Sequence, residues 1–325
     1  MRVLVTGGAG FIGSHVADGL VRLGHEVVVL DNESTGRREK VPAAAAYVRA
    51  DVAVLPDLER AFENGIEAVC HIAGQVSIIR SFSDPVTDLR TNTQGTVNVL
   101  KLCVKHRVPR LLFASSMTNY GHTEELPIPE THRCEPTSYY GITKYAAERY
   151  VQATGARADL DFQFDVTSLR MYNVYGPRQA LNNPYQGVLG IFIGNLLRAE
   201  PITIFGDGEQ TRDFIYIDDV VQAWVSALGH RTTFGRVFNI GSGSRLTINQ
   251  LADAVLVSFG ESRSTWDVRY LPARPGEQRH VEADIRAARE FGWQPRVPFE
   301  AGLEKTLEWA KQDAATVTDA AVTGT

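Results

Sequence analysis

Cysteine is scarce in this 325-residue chain: Cys70, Cys103 and Cys134 are the only three. Such wide spacing fits neither a zinc site nor a disulfide framework. Reduced, buried thiols in a cytosolic protein are the expectation. Long apolar runs are also missing, and none approaches the ~20 residues of a membrane helix. A signal peptide is not expected, because Met1-Arg2 runs straight into Val3-Leu4-Val5 and a glycine-rich turn. Basic excess is absent too. Thirty-three Lys and Arg against 38 Asp and Glu leave a net charge of −5. That argues against a dedicated nucleic-acid binder, which would show a basic stripe. The expected protein is soluble and cytoplasmic, with no membrane and no nucleic-acid partner.

What is present is an ordinary globular composition, 44% hydrophobic and 22% charged. It excludes a disordered chain, a collagen-like fibre and a coiled coil. Short apolar runs at Val3–Val5, Glu26–Leu30, Tyr47–Ala50, Ala68–Ile72, Arg110–Ala114 and Val166–Met171 alternate with helical patterns, notably Thr91–Lys105 and Tyr139–Gly155. Strand–helix alternation of this kind predicts an α/β fold with a parallel sheet covered on both faces. After about residue 173 glycine and proline become dense and segments shorten. The expected division is a Rossmann-type, doubly wound domain over 1–172, to which some later segments return. A smaller α/β substrate lobe follows over 173–311, then a flexible tail over 312–325 that lacks aromatic residues.

The first apolar run leads into Thr6-Gly7-Gly8-Ala9-Gly10-Phe11-Ile12-Gly13. Gly7 permits a tight turn, Gly10 lets backbone approach a pyrophosphate, and Gly13 lets helix and strand lie close. The diphosphate would sit at a helix N-terminus, where free N–H groups and the helix dipole favour an anion. Asp31 ends the second run, near the spacing expected of a ribose-binding acid. A carboxylate there bonds the ribose hydroxyls and repels a 2′-phosphate, so NAD is favoured over NADP. Asp51 is placed near the adenine, although an acid at a strand end is often only a helix cap. Phe11, Ile12, Asn32, Val52 and Ala73 complete the expected cofactor contacts.

Tyr140 and Lys144 lie four residues apart, which on a helix puts them on one face. A tyrosine acting as a base near pH 7 needs its pKa lowered by ~3 units, or ~4 kcal/mol. A lysine ammonium one turn away supplies part of this, and a cationic nicotinamide more. Tyr139 with Thr143 has the same spacing but the wrong partner. A third component, Ser115-Ser116-Met117-Thr118-Asn119-Tyr120-Gly121, follows a strand. Ser116 there points a hydroxyl into the crevice where such sheets bind ligands.

These residues together resemble the extended short-chain dehydrogenase/reductase family, and within it the NAD-dependent nucleotide-sugar epimerases and dehydratases. The resemblance runs from Met1 to about residue 310. It implies the roles of Tyr140 and Lys144 as catalytic and cofactor-binding groups, and of Ser116 as holder of the reacting oxygen. It places Asn92 near the cofactor. It also implies nucleotide contacts from Asn173, and from Arg212 and Arg274, two arginines whose guanidinium forks suit a diphosphate. The family's 4,6-dehydratases carry Asp-Glu where Met117 and Thr118 stand here, so elimination is not expected. A UDP-sugar 4-epimerase needing no metal is the implied activity, commonly dimeric through helices matching Thr91–Lys105 and Tyr139–Gly155. The Gln75–Ser81 loop resembles that of UDP-glucuronate 4-epimerases. It favours UDP-glucuronate, with Thr118 and Arg178 as donors to its carboxylate. UDP-glucose and UDP-galactose are the alternative pair. A net dehydrogenase or a non-catalytic NAD sensor ranks lower.

Overall fold

Val3, Leu4 and Val5 are all fully buried, yet they do not share one core. Successive strand side chains point to opposite faces. Leu4 packs with Leu30, Val69, Phe113 and Val166. Val3 and Val5 pack on the other side with Val29, Cys70, Leu112 and Leu169. A strand buried on both faces belongs inside a sheet covered twice. The computed structural model, which describes residues 1–181, 187–273 and 278–323, has that sheet.

Its first six strands are β1 (Arg2–Thr6), β2 (Glu26–Asp31), β3 (Ala46–Arg49), β4 (Ala68–His71), β5 (Arg110–Ser116) and β6 (Asp165–Met171). All six lie where the apolar runs predict them. Four short strands follow, β7 (Asn173–Tyr175), β8 (Ile202–Phe205), β9 (Thr211–Arg212) and β10 (Phe214–Tyr216). Then come β11 (Arg236–Ile240), β12 (Leu246–Thr247) and β13 (Val268–Leu271). The sheet order is β11-β6-β5-β4-β1-β2-β3. Every neighbouring pair is parallel. The winding reverses between β1 and β4, and such a switch point opens a ligand crevice at the carboxyl ends.

The helices flanking the first half are α1 (Phe11–Arg22), α2 (Leu55–Glu59), α3 (Ile78–Ser83), α4 (Pro85–Leu89), α5 (Gly95–Lys105) and α6 (Tyr139–Gly155). One wider turn, Arg90–Gln94, joins α4 to α5 and takes the place of the regular helix start expected at Thr91. Wide turns of this kind often sit at functional sites. The rest are α7 (Val188–Leu197), α8 (Ile217–Gly229), α9 (Ile248–Ser258), α10 (Arg286–Arg289) and α11 (Phe299–Thr323).

The chain does not split cleanly at residue 172. β11 pairs with β6 at the sheet edge, and α8 packs against α1. Gly19 makes the α1–α8 contact close: a Cβ there would lie 2.7 Å from a Val221 methyl. The smaller lobe holds the pairs β7–β10, β9–β12 and β8–β13, with α7 and α9. Residues 312–323, expected as a tail, continue α11 as helical backbone. Their alanines favour helix, and no Gly or Pro interrupts them before Gly324.

Candidate active site

The glycine turn is built by close backbone approach. Gly7 has φ +71°, and a Cβ on it would lie 2.7 Å from the Ala73 nitrogen. A Cβ on Gly13 would lie 2.1 Å from the Gly7 carbonyl oxygen. Gly10 caps α1 without a side-chain bond, and the first turn carries no acid. The N–H groups of that turn are therefore free for an anion. Asp31 ends β2 beside them. Its Oδ2 accepts from the Ala9 nitrogen at 3.0 Å and its Oδ1 from the Glu33 nitrogen at 2.8 Å. Each oxygen keeps a lone pair for a ribose hydroxyl. The cradle fits a dinucleotide.

A single cleft passes along the carboxyl edge of the sheet. Asp31, Asn32, Val52 and Ala73 line it with Gly7, Gly10, Phe11, Ile12 and Gly13. Ser116, Tyr140, Lys144 and Asn173 line the same cleft. Sequence reasoning missed Gly74, Val76 and Thr91 on this wall, and Gln179, Leu189 and Phe214 from the second lobe. Val76 and Phe214 do lie in motifs the sequence offers, the Gln75–Ser81 loop and the stretch around Arg212, but as apolar members whose side chains announce no contact.

The catalytic trio comes from two elements. Ser138 caps α6, its Oγ accepting from the Gly141 nitrogen at 3.1 Å. That fixes the first turn, and Tyr140 and Lys144 follow on one face. Ser116 ends β5 and hydrogen-bonds to Tyr140. Burial pushes the Tyr140 phenol up to about 12, against the lowering effect of that bond. Burial pulls the Lys144 ammonium down to about 8, opposed by Asp88 and Glu148. Both groups are driven toward neutrality, so Lys144 alone does not make Tyr140 a base. A cation bound in the cleft must supply the remainder, and the nicotinamide ring carries one.

His71 lies directly behind the cleft, wholly buried. Its Nδ1 lies 2.7 Å from Thr6 Oγ1 and its Nε2 2.9 Å from Thr96 Oγ1. Thr6 Oγ1 in turn accepts from the Ile72 and Ala73 nitrogens, holding the turn after β4. Burial, with Lys144 nearby, lowers the His71 pKa from 6.5 to about 3. A folded pKa below the unfolded one gives stability that is complete above pH 6.5 and is lost as pH falls toward 3. The loss is at most ~1.4 kcal/mol per pH unit. Melting curves from pH 7 to 5 should therefore fall more steeply for the wild type than for His71→Asn. Parallel curves would contradict this role.

Several expected contacts lie elsewhere. Asn92 is buried behind the wall, not on it. It accepts from the Gln75 nitrogen at 2.9 Å and donates to the Gln75 carbonyl at 3.1 Å. Asp51 accepts from Asn32 Nδ2 at 2.9 Å and from the Ala53 nitrogen at 2.8 Å, a local turn contact; the cap of α2 is Val54, so Asp51 is not a helix cap either. Thr118 spends its hydroxyl on Ser116 Oγ at 2.9 Å. Arg178 is turned onto α1, where it pairs with Asp18 at 2.6 Å. Arg212 is buried and donates to the carbonyls of Thr211 at 2.7 Å and Arg279 at 3.3 Å. Among the described residues, none of these five lines the cleft. Arg274 lies outside the described residues. Asn119 faces inward and donates to Ser115 Oγ at 2.9 Å and Glu148 Oε2 at 3.2 Å. Among the described residues no cluster of His, Cys, Asp and Glu could hold a metal ion, and no helix is long and apolar enough to cross a membrane.

The sequence pattern of the NAD dependent epimerase/dehydratase family matches residues 3–241. The chain belongs to this family. As a member it is an isomerase with NAD as cofactor. It is 35% identical over 312 residues to a putative UDP-glucose 4-epimerase of Methanocaldococcus jannaschii, covering 96% of this chain and 99% of the relative. The crystal structure of a Thermotoga maritima UDP-glucose 4-epimerase with UDP-glucose superposes with a TM-score of 0.90 at 38% identity. That match covers 96% of this chain and 99% of the other. A Thermus thermophilus UDP-glucose 4-epimerase in complex with NAD gives a TM-score of 0.87 at 36% identity, covering 96% and 99%. In this epimerase-family chain, the residues that fit the cofactor are the glycine cradle, Asp31, Tyr140 and Lys144.

Proposed function

We propose that this chain is a UDP-hexose 4-epimerase that interconverts UDP-glucose and UDP-galactose. The observation that carries the reaction type is the cleft's acid–base set: Tyr140, Ser116 and Lys144, with Met117 and Thr118 following Ser116. That set supports oxidation and re-reduction at one carbon. It holds no Asp-Glu pair after Ser116 to drive elimination.

Bound NAD supplies a reversible hydride acceptor and a positive charge. Tyr140 takes the proton from the sugar 4-hydroxyl and returns it after the 4-keto sugar has presented its other face. Ser116 bonds the reacting oxygen and the phenol oxygen together. Lys144, within one helical turn, favours the phenolate through its charge. Burial of Ser116 and Lys144 beside the half-buried Tyr140 limits the bulk water that could compete for the proton.

The neutral sugars are preferred over UDP-glucuronate for a physical reason. A buried carboxylate needs donors. Thr118 and Arg178, the expected donors, are engaged with Ser116 and Asp18. Gln75, the first residue of the uronate-like loop, turns inward and donates to Asp88 Oδ1 at 2.7 Å. Purified protein mixed with equimolar UDP-glucose and UDP-glucuronate, without added NAD, is followed by proton NMR of the anomeric signals. The expected result is conversion of UDP-glucose at a rate at least ~10-fold higher, the equivalent of ~1.4 kcal/mol. Faster conversion of UDP-glucuronate would restore the uronate reading.

A homodimer is part of the same proposal. Val86 and Leu89 on α4, with Tyr139 and Ile142 on α6, are exposed. An apolar patch of this kind marks an interaction site, and it adjoins the helices the family resemblance names. Light scattering should give the mass of two chains; the mass of one would contradict the proposal.

A further inference from the structure

Asp88 on α4 is a carboxylate with no exposure to solvent. Its Oδ1 accepts from Gln75 Nε2 at 2.7 Å and from Asn92 Nδ2 at 3.1 Å. Its Oδ2 accepts from Thr143 Oγ1 at 2.6 Å. These three donors are neutral, so they satisfy the oxygens without cancelling the charge. A buried charge left this way is costly unless a counter-charge answers it.

Lys144 is the buried cation beside this network, without a direct ion pair to Asp88. A Cβ on Gly74 would lie 3.7 Å from Lys144 Nζ and 2.9 Å from Oδ1 of Asn92, the residue that donates to Asp88. Two acids act on the Lys144 ammonium, Asp88 from α4 and Glu148 from the next turn of α6. Glu148 is already gripped by Arg170, at 2.6 Å to Nη2 and 2.9 Å to Nε. The charge of Asp88 is unspent. The other groups nearby do not compete. His71 on β4 is neutral at physiological pH. Tyr140 is a protonated phenol in the free site. Asp84, at the N-cap of α4, also acts on Asp88, but it is half-buried at the surface and spends its carboxylate on Thr87.

We propose that Asp88 is the positioning residue of the catalytic pair: it anchors Thr143, between Tyr140 and Lys144 on α6, and supplies the counter-charge to the Lys144 ammonium. The same carboxylate holds Gln75, so the turn carrying Gly74 and Val76 into the cleft is fixed to the same point. Burial already brings Lys144 down to about 8. Removing a neighbouring negative charge lowers it further. Lys144 would then lose its proton near or below neutral pH, and its influence on Tyr140 with it. The proposal rests on the reading of Tyr140 and Lys144 as catalytic, and its test does not depend on which sugar is turned over.

The chain has six lysines, so 13C-labelled lysine gives six ε-carbon signals. The one missing from Lys144→Arg is assigned to Lys144 and titrated in the NAD-bound protein. In Asp88→Asn, the Thr143 hydroxyl retains an acceptor in the Tyr140 carbonyl at 3.1 Å. The expected result is a Lys144 midpoint lower by at least ~1 unit. The alkaline limb of the kcat–pH profile should move with it. Thr143→Val, which keeps the charge and removes the bond, should leave the midpoint at its wild-type value. If Asp88→Asn fails to fold, Asp88→Ser reads the same midpoint. An unmoved midpoint overturns the proposal even if kcat falls, because a purely structural role would do that uniformly across pH. An equal fall in Thr143→Val overturns it too. Wild type inactive on every UDP-sugar would instead sink the epimerase reading and leave the lysine titration interpretable.

Discussion

Tyr140→Phe should lower kcat by about three orders of magnitude while the protein still retains NAD and binds UDP-glucose. The substitution removes one oxygen and keeps the ring, so the packing at the start of α6 is unchanged. The lost oxygen is the group that moves the proton to and from the sugar 4-hydroxyl. Ser116 and Lys144 remain, but a serine hydroxyl cannot act as the base without a partner to activate it. Calorimetry with UDP-glucose and absorbance of released cofactor separate binding from turnover. Turnover near the wild-type rate would contradict the assignment of the base.

Gly13→Ala should be nearly as damaging, by a different route. The new Cβ would lie 2.1 Å from the Gly7 oxygen and 2.7 Å from the Gly7 carbonyl carbon. Both atoms are backbone, so no side chain can swing away. Relief requires α1 to move off β1, at a cost of ~1–3 kcal/mol. That movement carries the free N–H groups of the first turn away from the diphosphate. The expected protein melts at lower temperature and holds at least ~10-fold less NAD after purification. Gly229→Ala is the control: nothing lies within 4 Å of its Cβ position, and its backbone is not left-handed. A Gly13→Ala protein with full cofactor content would contradict the close-approach role.

The residues whose partners are near in sequence, or whose pattern is periodic, were legible from the chain alone. The six first strands follow from apolar runs, and α6 spans the same residues as its helical pattern. Tyr140 and Lys144 share a face because helical spacing requires it. The long-range partners were not legible. Arg178 and Asp18 are 160 residues apart, and nothing in either neighbourhood announces the pair. Arg212 sits in a motif suited to a phosphate clamp, yet it donates to backbone within its own lobe. Asn92 and Gln75 carry family-like positions, but the Asn92 amide is consumed by the Gln75 backbone and Asp88, and the Gln75 amide by Ser77 and Asp88. Some later segment was expected to return to the first domain, but nothing in the sequence marked β11 as the strand that pairs with β6. Asp88 had no motif at all; only burial and three converging donors reveal it. The opposite pulls of burial on Tyr140 and Lys144 were hidden for the same reason, since desolvation depends on what surrounds a group.

The central claim is that one carbon is oxidised and then reduced again within the same closed site. UDP-glucose carrying deuterium at C4 tests it directly. The protein as purified is incubated with this substrate in ordinary water, and the UDP-galactose formed is examined by NMR and mass spectrometry. The account predicts that the product retains deuterium at C4 with no exchange against solvent, because the same hydrogen leaves and returns. UDP-galactose with protium at C4, or accumulation of a 4-keto sugar, would contradict it.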